Sequence, residues 1–220
     1  YDRGHKAQCK QLAAEFQDRI LDSLTSKKIK VAPAWGGTCA ICFDLLTFGG
    51  GKTSFNACCC TTLCSPCFVK CRQYDTRCPL CMTPAHKSDA EWRRRIQKHV
   101  DAGNADAQEE LGDVSHATRQ PSLQRAAQMY ELAAAQGHVR CQLKLGLLYE
   151  AGDGVIKNLE TAVLWFRRAA DQGFPEAQLI LGLAFIDGSG VAKSNAEGLR
   201  WLRLAAAQGL VQARIILDGC

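Results

Sequence analysis

Ten of the chain's thirteen cysteines fall between Cys39 and Cys81. Six of them form Cys-x2-Cys pairs: Cys39/Cys42, Cys64/Cys67 and Cys78/Cys81. A further cluster, Cys58-Cys59-Cys60, lies between the first two pairs. A Cys-x2-Cys turn directs two thiolates at one metal ion, so four pairs supply the ligands of two tetrahedral Zn2+ sites. Sites with four protein ligands each are structural, with no open position for substrate. Disulfides would need an oxidising compartment, and these spacings are those of metal ligands. An iron–sulfur centre is disfavoured because the runs do not follow a ferredoxin pattern. Cys9, Cys71, Cys141 and Cys220 have no partner spacing and are expected to be small buried hydrophobes.

A segment this short has little core of its own. Metal binding would therefore supply most of its folding free energy, on the order of 10 kcal/mol per site. Gly49-Gly50-Gly51-Lys52-Thr53 resembles the end of a phosphate-binding loop, but Leu46 stands where the leading glycine belongs. It reads as a tight turn between two short strands.

Breaks on either side bound the metal segment to residues 35–86. Before it, residues 1–34 contain an expected helix over 5–30, with Leu12, Phe16, Ile20 and Leu24 four apart. Lys27, Lys28 and Lys30 crowd its end, where cations suit the helix dipole. Pro33 and Gly36-Gly37 then interrupt the chain. After it, Ser88 and Glu91 form a capping-box pattern that opens a linker helix over 87–102. Trp92, Ile96 and Val100 share one face of that helix. Arg93, Arg94, Arg95 and Lys98 are expected to face water and not nucleic acid, since no aromatics interleave with them.

From 103 to 220 the sequence repeats with a period of 36. Gln136-Gly137, Gln172-Gly173 and Gln208-Gly209 mark the period, as do Trp165 and Trp201, and Leu145-Gly146 and Leu181-Gly182. A period of this size means stacked supersecondary units. Each unit is read as two helices, the first through Gln142 to Tyr149 and again Ala177 to Phe185. They are joined by glycine turns at 152–154 and 188–190. Asn158 and the Ser194/Glu197 capping box start the second helices. Alanines at 133–135, 169–170 and 205–207, with Gly146 and Gly182, let helices approach closely. An earlier copy near 101–112 lacks the glycine turn, as expected of a capping unit. The last helix, 211–217, caps the stack or marks a truncation. His116 and His138 are expected to be lone surface groups.

The repeats resemble the Sel-one-like repeat, a relative of the tetratricopeptide repeat. The pattern is Leu-Gly-x-x-Tyr-x-x-Gly-x-Gly-Val at 145–155, then Ala162, Trp165, Ala169-Ala170 and Gln172-Gly173. The resemblance implies a right-handed superhelix that binds proteins.

Residues 39–81 resemble a RING finger of the all-cysteine kind. That resemblance implies interleaved sites: Cys39, Cys42, Cys64 and Cys67 on one zinc, and Cys58, Cys59, Cys78 and Cys81 on the other. A Cys58/Cys60 pair is the rival to Cys58/Cys59. It also implies a shallow groove for a ubiquitin-conjugating enzyme, with Ile41 and Pro79 at the groove positions. Two positions depart from active ligases: Cys71 replaces a frequent Trp, and Met82 replaces a frequent Arg or Lys.

The expected fold is mainly α: a small two-zinc RING-like α+β domain, then an α-solenoid of helix hairpins. The function implied is a zinc-binding adaptor with ubiquitin-ligase character, whose solenoid holds a protein partner or substrate. The alternative is a non-catalytic scaffold subunit using both regions as docking surfaces. The net charge of +5 permits an acidic partner without requiring one. No apolar run reaches the roughly 18 residues of a membrane span. A cytoplasmic or nuclear location is expected, with organelle import left open because the sequence starts at Tyr1.

Overall fold

The computed structural model describes the backbone of 53–56 and 61–64, and residues 69, 84, 87–117 and 122–218. Strands β1 (Thr53–Asn56) and β2 (Thr61–Cys64) pair antiparallel, with Thr53 opposite Cys64 and Asn56 opposite Thr61. The strand expected after the glycine turn thus begins at Thr53. The expected helix at 5–30 lies outside the described residues.

Helix α1 (Asp89–Asp101) starts as its capping pattern requires, with one arm displaced. Ser88 Oγ accepts from the Glu91 backbone N–H at 3.2 Å. The returning Glu91 carboxylate accepts from the Lys87 N–H at 2.9 Å, one residue before the expected donor. Ile96 and Val100 are buried against Ala107 and Leu111, with Trp92 at the edge, so α1 closes the near end of the solenoid. Arg93, Arg94 and Lys98 face water as expected. Arg95 does not. It folds back onto Glu91 and the Pro84 carbonyl.

Three helix pairs follow: α2 (Ala105–Ala117) with α3 (Leu123–Ala135), α4 (Val139–Ala151) with α5 (Leu159–Asp171), and α6 (Pro175–Asp187) with α7 (Asn195–Ala207). Helix α8 (Val211–Asp218) repeats the start of a first helix. The expected caps form: Asn158 Oδ1 accepts from Thr161 N–H and Ser194 Oγ from Glu197 N–H. Glu197 itself turns to Arg200 and leaves its capping box half made.

Small residues set how closely the helices pack. Ala126, Ala133, Ala162, Ala169, Ala177 and Ala205 are all buried. A β-carbon on Gly112 or Gly146 would meet the ring of Tyr130 or Phe166 at 2.5 Å. Successive units are locked by the turn glycines. Gly154 and Gly190 have φ of 71° and 70°, and a side chain there would run into the Leu123 or Leu159 backbone of the preceding unit.

A glutamine ladder also crosses the stack. Gln172 Nε2 donates to Gln142 Oε1 at 2.7 Å, and Gln136 to Gln108 and Gln208 to Gln178 at 2.8 Å. The inner glutamines Gln142 and Gln178 donate onward to the Ala134 and Ala170 carbonyls, so these buried amides are satisfied.

Candidate functional site

Among the described residues, the densest cluster of chemically capable side chains lies between the first two helix pairs. Residues Glu109 and Asp113 lie one helical turn apart on α2, as do Arg140 and Lys144 on α4. Lys144 Nζ donates to Glu109 Oε1 at 2.8 Å and to Asp113 Oδ1 at 2.7 Å. Arg140 donates to Glu109 Oε2 at 2.7 Å. The Tyr130 hydroxyl donates to Asp113 at 2.7 Å, and Lys144 stands 5.4 Å over the Tyr130 ring. His138 Nε2 sits 3.1 Å from Asp106 Oδ1 and 3.6 Å from Glu109. Cys141 is fully buried beside them.

The electrostatics follow from this packing. Burial pulls the Lys144 ammonium toward neutrality, but Glu109 and Asp113 outweigh it and hold its pKa above the ordinary value. Burial pushes the Cys141 thiol well up, with the Glu109 charge adding to it. Burial and the bond to Asp113 do the same to the Tyr130 phenol. The hydrogen bond from His138 lowers the Asp106 carboxyl.

Two chemistries could be imagined for this cluster. Glu109, His138 and Cys141 bring donor atoms within 4.8 Å of one another, a set of types that suits zinc. However, Glu109 already carries two cations, and a fully buried thiol held protonated by its surroundings is a poor nucleophile. The arrangement is better suited to locking α4 on α2 than to reaction. His138 is therefore not the lone surface group expected from the sequence; its side chain is 16% exposed and tied to Asp106. Exposed His116 and buried Cys141 match expectation. The sequence reading missed Glu109, Asp113 and Lys144. Their signal was available, because opposite charges occupy facing positions of consecutive first helices.

Of the sequence-predicted zinc ligands, Cys64 ends β2. Cys39, Cys42, Cys58, Cys59, Cys67, Cys78 and Cys81 lie outside the described residues, as do Ile41 and Pro79 and the rival ligand Cys60.

The Sel1 repeat model matches three times, over residues 105–138, 139–174 and 175–210. A Sel1 repeat protein from Oxalobacter formigenes is similar at 35% identity and a TM-score of 0.53, over 58% of this chain and 97% of that one. This chain belongs to the Sel1 repeat family. A protective antigen of uropathogenic Escherichia coli with the same repeat fold is 36% identical, with a TM-score of 0.51. That match covers 53% of this chain and 25% of the antigen, so this chain spans a quarter of the antigen's length. No curated protein matches the chain.

The Sel1 boundaries agree with the helix pairs. Each match begins at a first helix, and the first match is two residues shorter than the others. Within the Sel1 array the inward positions barely change from copy to copy: Ala107, Cys141 and Ala177, or Leu111, Leu145 and Leu181, all buried. The outward positions change freely, as in Gln128, Leu164 and Arg200, all exposed. No helix among the described residues is long and apolar enough to cross a membrane.

Proposed function

We propose that this chain is a protein-binding adaptor: a Sel1 solenoid that holds a partner, preceded by a zinc-stapled RING-like segment that recruits a second protein. The observation that carries it is the constant interior and variable exterior of the repeats. A fixed buried frame with side chains that differ on the outside is the arrangement of a recognition surface. The one buried thiol among the described residues, Cys141, is held protonated and out of reach, so binding fits the array better than reaction.

For the metal segment, the reading is two structural zinc ions, one on Cys39, Cys42, Cys64 and Cys67 and one on Cys58, Cys59, Cys78 and Cys81. The β-hairpin supports this interleaving. Extended backbone carries Cys64 roughly 10 Å from Thr61, the residue next to the cysteine cluster. Thiolates on one tetrahedral ion lie within roughly 4 Å of each other. The cluster and Cys64 thus suit different ions.

In the ligase reading, Ile41 and Pro79 contact a ubiquitin-conjugating enzyme and the solenoid presents the substrate. The gain in rate comes from orienting the thioester. The scaffold reading is favoured by Met82 and Cys71, which stand where active ligases carry Arg or Lys and Trp. An autoubiquitination assay across a panel of conjugating enzymes separates the two. The ligase reading expects transfer that Ile41→Ala abolishes without zinc loss and Met82→Arg raises. No transfer by wild type or by Met82→Arg would leave the scaffold.

A further inference from the structure

The lock between the first two repeats is not repeated between the second and third. In the first junction, the second and sixth residues of α4 (Arg140 and Lys144) reach the fifth and ninth of α2 (Glu109 and Asp113). At the same positions one repeat later stand Glu176 and Ile180 on α6, and the places of Glu109 and Asp113 are taken by Leu143 and Leu147 on α4. Leu143 and Ile180 belong to one apolar cluster, in keeping with that register. The cation has become a carboxylate and its acidic partners have become leucines.

Glu176 is left with an unmet need. Its Oε2 is buried and finds no hydrogen-bond partner among the described residues. Burial raises its carboxyl above the ordinary value, opposed only by its own backbone N–H. Helix α6 contains no lysine or arginine; its other charge is Asp187, near the far end. The residues around the register position are apolar and reachable: Leu147 is 40% exposed, and Leu179, Ile180 and Leu183 are partly exposed. A carboxylate half removed from water among aliphatic groups is best satisfied by a desolvated cation that hydrogen-bonds to it.

We infer that the face of α4 and α6 around Glu176 docks a protein segment presenting a lysine or arginine between aliphatic side chains. The cation would pair with Glu176 as Arg140 and Lys144 pair with Glu109 one junction earlier, and the aliphatic neighbours would cover Leu147 and Leu183. The inference rests on the protein-binding reading and names the chemistry of the partner.

The test is selection of random twelve-residue peptides displayed on phage against the full chain. Affinities of the enriched peptides are then measured by fluorescence anisotropy. Enriched peptides should carry Lys or Arg flanked by Leu, Ile or Val. Glu176→Gln should weaken them by about ten-fold or more, the loss of a charge-assisted hydrogen bond. Glu176→Lys should shift selection toward acidic peptides. Leu147→Lys, which places a charge on the exposed aliphatic part of the proposed docking face, should weaken binding as well. Thermal unfolding of each variant checks that the fold persists. Enriched peptides with no basic preference, or bound equally by Glu176→Gln and Leu147→Lys, would overturn this inference and leave the adaptor reading standing. Failure to enrich any peptide would overturn both.

Discussion

Gly146 on α4 lies against the ring of Phe166 on α5, so close that a β-carbon would come 2.5 Å from Cε1. Phe166 is among the largest fully buried side chains, so the ring has nowhere to move. Alanine at 146 would gain roughly 1 kcal/mol of helix propensity. The overpacking should outweigh that gain, since forcing extra volume into a filled core costs about 1–3 kcal/mol. Gly146→Ala is expected to lower stability in urea unfolding despite the better helix former. Gly137→Ala is the control. Its φ is 89° and no atom lies near its missing β-carbon, so its loss should reflect backbone strain alone, about 1 kcal/mol.

Lys144 neutralises two carboxylates at once, and Glu109 is nearly buried. Lys144→Met should therefore cost about 3 kcal/mol, at the low end for breaking a buried pair, because Asp113 still meets water. Adding Glu109→Gln should recover part of that loss. The pH dependence has a definite sign. The Lys144 pKa is raised from 10.5 in the fold, so its contribution is complete below that pH and is lost as pH rises through the folded value. Tyr130, raised from 10.0, acts in the same direction. Asp106 is lowered from 3.8, so its contribution is present above that pH and lost as pH falls through the folded value. Cys141, raised from 9.0, acts in the same direction and starts the loss earlier. Denaturant midpoints should fall above about pH 9, and Lys144→Met with Tyr130→Phe should flatten the part of that fall above about pH 10.

The two repeat tryptophans are equivalent in sequence but not in burial. Trp201 is 5% exposed, whereas Trp165 is half-buried with the Arg168 guanidinium 4.4 Å from its centroid. Trp201→Ala should cost about 3–5 kcal/mol and Trp165→Ala clearly less. The Trp201 Nε1 is buried with no partner among the described residues. Removing that donor offsets lost volume, so Trp201→Phe should be milder than its size change suggests. Chemical denaturation of the three variants gives the order directly.

The periodic pattern made the solenoid legible, because identical buried contacts demand identical residues at a fixed spacing. Glycines at 137, 173 and 209 and the caps at 158 and 194 lie where the pattern predicts, since each answers a local backbone requirement. The Glu109–Lys144 lock and the unmet Glu176 were not legible in the same way. They arise from one repeat meeting the next, and a scan for similarity between copies passes over positions where copies differ. Trp165 and Trp201 show the opposite: identical in sequence, they differ in burial, while Phe166 and Leu202, one residue on, are fully buried in both copies.

Cys141 should be silent to thiol reagents while the array is folded. Its side chain is fully buried and its thiol held protonated by burial. Iodoacetamide labelling followed by peptide mapping should leave Cys141 unmodified in buffer and modified in denaturant. Labelling at the native rate of an exposed thiol would show that α4 opens locally.

The metal segment yields the most discriminating prediction. On the proposed reading, eight cysteine ligands hold two Zn2+ per chain, which leave only when the thiolates are protonated or the segment unfolds. The hairpin β1–β2 holds Cys64 at the end of an extended strand opposite Thr53. Cys64→Ala should then lose the zinc shared with Cys39, Cys42 and Cys67. Within the cluster, Cys59→Ala should lose the second zinc while Cys60→Ala keeps both. The opposite result would move the pair to Cys58 and Cys60. Metal analysis of the purified variants reads the count. One zinc in the wild type, or an iron–sulfur absorption band, would remove the two-site reading altogether.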